Sequence, residues 1–586
     1  MIKERIRQVR QFMQKDHIDA YYINASDYHQ SEYLADYFQA RVFMSGFTGS
    51  FGYLFITQRE AFLYTDGRYF IQAERELQNS DIQLMRMGQE GVLDIFELIQ
   101  AKGVKHIGFD GRCVDVVFAL KLESLQIKMT SIDYVSRIWK NRPALPREAV
   151  FEMELQYVGV SRKDKLQALR EKLHHHIHVV AHLDAICYVL NIRGGDIKHT
   201  PVVLSYMIID DEKCSLFIDT AKLSDELIMS LHEDHIDIYP YDTFYNYLKT
   251  QRGSILMDFS KMNYEAYKQV QGNVIYNVES PIDGMKACKN EVELKNIRFS
   301  HITDGIVMVK FIHWLKETIK KQALDELTIT DTLNTLRKEA GAFDLSFEPI
   351  VAYNANAAMM HYSATPENYS KVYDKGILLV DSGGQYLQGT TDITRTIALG
   401  SVDPFVKQCY TTVLKSMLNL QNVTFLHGCS GMSLDILARQ AIWKMDLDYQ
   451  SGTGHGIGYV LGVHEGPHGI KWKKSINRHE DTILQEGMVV TDEPGIYLEH
   501  QFGIRIENEL VVKKKTKNFY GQFMEFEVVT YCPFDLELID TSYLNHEQVD
   551  QINRYHQYVY QTLSPYLDET YQDVLKEMTK ELYYHN

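Results

Sequence analysis

Five residues in the second half of the chain have types and settings that could do metal chemistry: Asp381, Asp392, His455, Glu493 and Glu507. Asp381 ends the apolar run Ile377-Leu378-Leu379-Val380, and Asp392 follows in Gly389-Thr390-Thr391-Asp392-Ile393-Thr394-Arg395-Thr396. Gly383-Gly384 between them permits a sharp turn, so a hairpin can bring the two carboxylates side by side. His455 sits in Gly452-Thr453-Gly454-His455-Gly456-Ile457-Gly458, where glycines let backbone approach closely. Glu493 lies in Thr491-Asp492-Glu493-Pro494-Gly495, and Glu507 in Gly503-Ile504-Arg505-Ile506-Glu507-Asn508 on a strand-like alternation. Four carboxylates and one imidazole, with no sulfur, suit manganese, cobalt or zinc and disfavour copper(I) or a structural zinc. Four negative charges in one pocket need cations, and two divalent ions are the natural count. Each residue alone has a plainer reading, an Asp as a turn former or a Glu before Pro as a loop residue. The ordered set is what points to a site.

The elements that must position this set fall into three regions of a 586-residue chain that is 45% apolar. Arg142-Pro143-Ala144-Leu145-Pro146 reads as a linker, and Ser280-Pro281-Ile282-Asp283-Gly284 as a second break. The expected domains are therefore 1–150, 151–285 and 286–586. The first two look like divergent copies of one α/β unit. Each opens with an amphipathic helix, at Ile6 to Met13 and at Leu166 to Leu173. Matching apolar strands follow, Ala20–Ile23 and His178–Ala181, then Tyr53–Ile56 and Leu204–Ile208. The third region begins with a helix from Glu291 onward and then turns strand-rich. Val549, Ile552, Tyr555, Val559 and Leu563 recur at helical spacing, so the tail is a packed helix.

Composition excludes several classes. A net charge of −17 leaves no basic footprint for nucleic acid. No apolar run approaches the ~20 residues a membrane span needs. The start, Met1-Ile2-Lys3-Glu4-Arg5, opens an amphipathic helix and not a secretory signal, so the expected location is cytoplasmic. Seven scattered cysteines without a Cys-x-x-Cys pair fit reduced thiols. His464-Glu465-Gly466-Pro467-His468 matches the His-Glu-x-x-His word of helical zinc proteases, but Pro467 would break the required helix. The glycines 452–458 lack nucleotide-binding spacing, and no Gly-x-Ser-x-Gly elbow occurs. His174-His175-His176 reads as surface.

The set and its local words resemble the pita-bread-fold metallopeptidases, and within them the three-domain form of aminopeptidase P, over essentially the whole chain. The further words that carry the resemblance are Gly46-Phe47-Thr48-Gly49-Ser50, Thr65-Asp66-Gly67-Arg68-Tyr69-Phe70, Pro349-Ile350-Val351-Ala352-Tyr353, His361-Tyr362 and Val463-His464-Glu465-Gly466-Pro467. The implied fold is an α/β and α+β multidomain chain. Two related creatinase-like α/β domains would precede a pita-bread catalytic domain with a C-terminal helical extension.

The resemblance also implies roles. Asp381 would bind one metal, Asp392 and Glu507 would bridge both, and His455 and Glu493 would complete the second. The ions, expected to be Mn(2+) with Co or Zn as alternatives, would share a water or hydroxide that attacks the Xaa-Pro bond, with Glu493 shuttling its proton. His361 and His464 would bind substrate and steady the oxyanion, though each could equally be a satisfied, partly buried histidine. Phe347 would line the proline pocket or be an ordinary core aromatic; Arg505 would order the carboxylates or form a surface ion pair. One departure stands out: Ser451 occupies a position where the family usually has histidine. The implied partners are peptides with proline at position 2, and the implied assembly is a homodimer. Prolidase-like dipeptidase activity and a non-catalytic binding scaffold are the rival readings. The doubled N-terminal region argues against the first and the complete ligand set against the second.

Overall fold

The computed structural model describes residues 1–473 and 481–584. Their contacts form two compact units, Met1–Leu155 with Val160–Asp283, and Gln156–Gly159 with Gly284–Asn586.

The first unit holds two six-stranded mixed sheets of one design. The strand order is Gln83–Arg86, Ala61–Thr65, Tyr53–Thr57, Ala20–Asn24, His106–Phe109, Lys128–Ser131 in one. In the other it is Ile236–Pro240, Cys214–Ile218, Ser205–Ile209, Ile177–Val180, Ser254–Met257, Val274–Asn277. Every parallel or antiparallel contact in the first has its counterpart in the second. The repeat expected from the sequence is thus visible as strand order. The helix Ile2–Lys15 buries Ile6, Val9 and Met13, the face its spacing sets apart.

The copies meet at equivalent positions. Asp115 and Asn263 each cap the helix that follows the fifth strand of their own sheet, and they pair as an antiparallel bridge. The Val116 N–H donates to the Met262 carbonyl, and the Tyr264 N–H donates to the Val114 carbonyl. Nearby, His29 Nδ1 lies 2.8 Å from the Ala181 carbonyl and Nε2 lies 2.7 Å from the Tyr241 hydroxyl. A carbonyl only accepts, so Nδ1 carries the proton and Nε2 accepts from the tyrosine. Burial lowers this imidazole to about 4 and keeps it neutral.

The second unit opens on the 29-residue helix Glu291–Ile319. Asn290 caps it through the Val292 and Glu293 N–H groups, and Glu293 returns the bond in a capping box. With Glu326–Glu339 it covers a three-stranded sheet of Ile350–Tyr353, Ile377–Ser382 and Ile393–Ala398 over a core of Val307, Phe311, Leu333, Val380 and Ile393. A six-stranded sheet adds Thr424–Leu426, Gly521–Val528, Asn508–Asn518, Val489–Asp492, Gly454–Gly456 and Glu465–Ile470 in that order. The helix His546–Leu563 buries Val549, Ile552, Tyr555, Val559 and Leu563, as the spacing requires. No described helix is long and apolar enough to cross a membrane.

Candidate metal centre

The five residues come from strand ends that converge in the second unit. Asp381 lies in Ile377–Ser382, whose neighbour Ile393–Ala398 sets Asp381 opposite Thr394. Asp392 immediately precedes that neighbour, and its N–H donates to Glu509 at 2.7 Å. The two main strands are not joined by the sharp turn expected at Gly383-Gly384. A small projecting hairpin, Gly384–Tyr386 with Gly389–Thr390, makes the connection. Gly383 instead permits contact, because a Cβ there would stand 1.8 Å from the Thr391 carbonyl oxygen. The same holds beside His455, where a Cβ on Gly454 would stand 1.9 Å from the Thr491 carbonyl oxygen. Glu493 follows the strand Val489–Asp492, and Glu507 falls between Phe502–Arg505 and Asn508–Asn518, off the strand ends and not within a strand.

One ligand atom each from Asp392, His455 and Glu507 lies within 4.8 Å of the others. His455 Nε2 is 3.4 Å from Asp392 Oδ2 and 3.5 Å from Glu493 Oε1. Asp381 is tied to the cluster through Arg505, which donates to Asp381 Oδ2 and to the Thr394 hydroxyl at 3.1 Å. The Thr394 hydroxyl donates in turn to Glu507 at 2.7 Å. Burial, then the charges of Asp381, Glu493 and Glu509, push the Asp392 carboxyl well up. Burial, then Asp392, Asp381 and Glu493, do the same to Glu507. Asp381 Oδ1 is buried without a hydrogen-bond partner.

These features fit divalent cations. Carboxylates crowded enough to repel one another, a ring nitrogen at ligand distance and an orphaned buried oxygen are what an ion would satisfy.

His464 stands edge-on to His455, ring centroids 4.3 Å apart, so the structure brings this residue to the cluster. His361 lies half-buried on the long connection between Ile350–Tyr353 and Ile377–Ser382. Phe347 is half-buried beside Ser346, whose hydroxyl donates to the Thr391 carbonyl at 2.7 Å, next to Asp392. Arg505 is a buried partner of Asp381 and not a surface ion pair. Ser451 is half-buried, and its carbonyl accepts from Arg439 at 2.7 Å.

The His-Glu-x-x-His word runs into a strand, Glu465–Ile470, so its two histidines do not share a helical face. His468 is buried, and Nε2 lies 2.9 Å from the Val489 carbonyl. Burial, with help from Lys289, lowers it to about 3. Glu465 Oε1 accepts from Lys289 at 2.6 Å, and Oε2 is 3.2 Å from Lys286, all three side chains being buried. Lys289 also donates to the Ile457 carbonyl at 2.6 Å, so one ammonium holds both ends of the loop that carries His464.

Sequence reading passed over several residues that build this centre. Glu509 lies two positions after Glu507, a period-2 signal in hindsight. It anchors Asp392 from behind and stands 3.1 Å from His301 on the long helix. Arg395 is fully buried and donates to the Glu507 carbonyl at 2.6 Å, the Cys532 carbonyl at 2.7 Å and the Tyr555 hydroxyl at 3.0 Å. A single arginine in a strand gives no sign of such long-range partners.

A site of clustered carboxylates and one histidine, carried on antiparallel strands wrapped by helices, defines a class. The model of metallopeptidase family M24 matches residues 295–514, and that of the C-terminal region of peptidase M24 matches 522–582. Two models of the creatinase/prolidase N-terminal domain match 5–139 and 141–293. The chain belongs to metallopeptidase family M24, with a pita-bread catalytic fold behind creatinase-type domains.

Its relatives narrow the class. Aminopeptidase P2 of Arabidopsis thaliana is 36% identical over 602 residues, covering 94% of this chain and 84% of that protein. A probable Xaa-Pro aminopeptidase P of Talaromyces marneffei is 38% identical over 610 residues, covering 99% of this chain and 92% of its own. Among solved structures, the X-prolyl aminopeptidase from Caenorhabditis elegans, described as a cytosolic enzyme with a di-nuclear active site, matches with a TM-score of 0.95. It is 30% identical and covers 99% of this chain and 100% of that one.

Proposed function

We propose that this chain is a metal-dependent Xaa-Pro aminopeptidase, which releases the first residue of peptides whose second residue is proline. The observation that carries the reading is the Asp392, His455 and Glu507 cluster. It lies within a chain alike over its whole length to Xaa-Pro aminopeptidases. Asp381, Asp392 and Glu507 would hold one ion, and Asp392, Glu507, His455 and Glu493 the second. Manganese is the favoured metal, because the set is oxygen-rich with one imidazole. The ions, when bound, supply positive charge against the carboxylates and activate water for hydrolysis.

The chain's own groups do the rest. Glu493 Oε1, 3.5 Å from His455 Nε2, takes the proton released as water adds and passes it to the departing proline nitrogen. A bond to proline is a tertiary amide without an N–H, so recognition must come from ring shape and from the residue before it. His464, beside His455, and His361 donate to the scissile carbonyl oxygen as charge develops there. Arg505 holds one oxygen of Asp381 and leaves Oδ1 for a ligand or the substrate amino group. Phe347 packs on the proline ring. The catalytic region is 286–586, preceded by α/β regions 1–150 and 151–285. The protein acts in the cytoplasm as a homodimer; the cytosolic description of the Caenorhabditis elegans relative supports the first point and family likeness the second.

The test is mass analysis of products from Xaa-Pro, Xaa-Pro-Yaa and Xaa-Ala-Yaa peptides with added manganese. Cleavage of Xaa-Pro-Yaa between Xaa and Pro, blocked by N-terminal acetylation, is expected. Faster loss of the Xaa-Pro dipeptide in a mixed reaction would make the chain a dipeptidase instead.

A further inference from the structure

We propose that Glu326 positions His361, and that substrate binding by this histidine depends on a carboxylate remote in sequence and buried beneath the loop. The inference rests on the reading of His361 as a substrate-binding residue.

Glu326 is the first residue of the helix Glu326–Glu339 and is 0% exposed. Each of its oxygens accepts two hydrogen bonds. Oε1 takes the Tyr353 N–H at 2.8 Å and the Asn356 side-chain amide at 2.9 Å. Oε2 takes the Tyr362 hydroxyl and the Ser370 N–H, both at 2.7 Å. All four donors belong to one stretch of chain, from the end of the strand Ile350–Tyr353 to the short strand Lys371–Val372. Its only regular element among the described residues is the turn Asn354–Ala358. Connections of this length without structure of their own are usually functional or disordered. Here one carboxylate gathers the start, the turn, the middle and the return, and the Ser370 carbonyl accepts back from the Glu326 N–H at 3.2 Å.

The middle contact is the informative one. Tyr362 follows His361 and is buried, so the Tyr362–Glu326 bond fixes the chain on one side of the histidine. On the other side the Met360 carbonyl lies 3.5 Å from Arg505 Nη2, the arginine that also holds Asp381. His361 is thereby slung between the carboxylate cluster and Glu326. A buried carboxylate is a costly way to stabilise a loop, and apolar packing of equal volume usually does as well. What four convergent charge-assisted bonds add is a fixed geometry.

The test is a double-mutant cycle on the manganese-loaded full chain, with Glu326→Gln, His361→Ala and the pair, assayed on an Xaa-Pro-Yaa tripeptide. The amide keeps the volume but has one acceptor oxygen in place of two, so it cannot accept all four bonds. Glu326→Gln should lower kcat/KM by about tenfold or more, with metal content unchanged. It should have no further effect once His361 is alanine. Effects that multiply in the pair would overturn the proposal, since a residue that merely supports the fold does not depend on His361. His361→Ala with undiminished kcat/KM would overturn it too, leaving nothing to position. A wild-type chain inactive on every Xaa-Pro peptide would instead strike the functional reading. Should Glu326→Gln fail to fold, Tyr362→Phe removes one of the four bonds and enters the same cycle, with a smaller loss expected.

Discussion

His464 and His468 lie four residues apart and receive opposite environments. His464 meets the imidazole of His455, whereas His468 is buried within its own strand of the sheet, beside the Val489 carbonyl, and too disfavoured as a cation to act as an acid near neutral pH. His464→Ala should therefore lower turnover by roughly a hundredfold, the usual cost of an oxyanion donor. His468→Ala should cost less than about tenfold, with the ions retained in both. Equal release of metal by the two variants would restore the helical zinc reading. At this scale the residues that the fold gathers into the candidate site were legible because carboxylates with a histidine in glycine-rich or strand-end words are unusual. Arg395, Glu326 and Lys289 were not legible. Their significance lies in partners up to 176 residues away, and sequence carries no mark of such pairing.

At the scale of elements, the loop from Ile457 to Glu465 is held at both ends by the Lys289 ammonium. Replacing Lys289 by methionine leaves Glu465 with Lys286 alone and frees the Ile457 carbonyl. Breaking a buried pair from one side costs about 3–5 kcal/mol. Lys289→Met should accordingly lower the melting temperature of the manganese-loaded protein and reduce turnover through His464, both readable in one preparation. An unchanged melting curve would mean that Glu465 and Lys286 suffice. Helices with clean apolar spacing were foreseen well, as Ile2–Lys15 and His546–Leu563 show. The connection after Asp381 was not. A pair of glycines reads as a turn, yet Gly383 is small because the Thr391 carbonyl crosses it, a tertiary fact.

At the scale of the molecule, the raised carboxylates couple the metal centre to stability. A carboxyl whose folded value exceeds its unfolded one stabilises the fold below the unfolded value and loses that contribution as pH rises through the folded one. Asp392 and Glu507 are both raised, so chelated protein should suffer most where they must ionise. The gap in melting temperature between loaded and chelated protein should widen from pH 5.5 to 7.5. A gap that narrowed would mean these acids do not hold the ions. The three-region layout was legible because the repeat announces itself in spacing; how the copies meet was not, since Asp115 and Asn263 look like ordinary helix caps. When position i of one copy pairs with position i of the other, and the flanking bonds are exchanged in both directions, the contact is isologous, the kind two separate identical chains make about a two-fold axis. The amino-terminal half of this protein thus carries, within one polypeptide, the self-complementary contact that a homodimer makes between two chains.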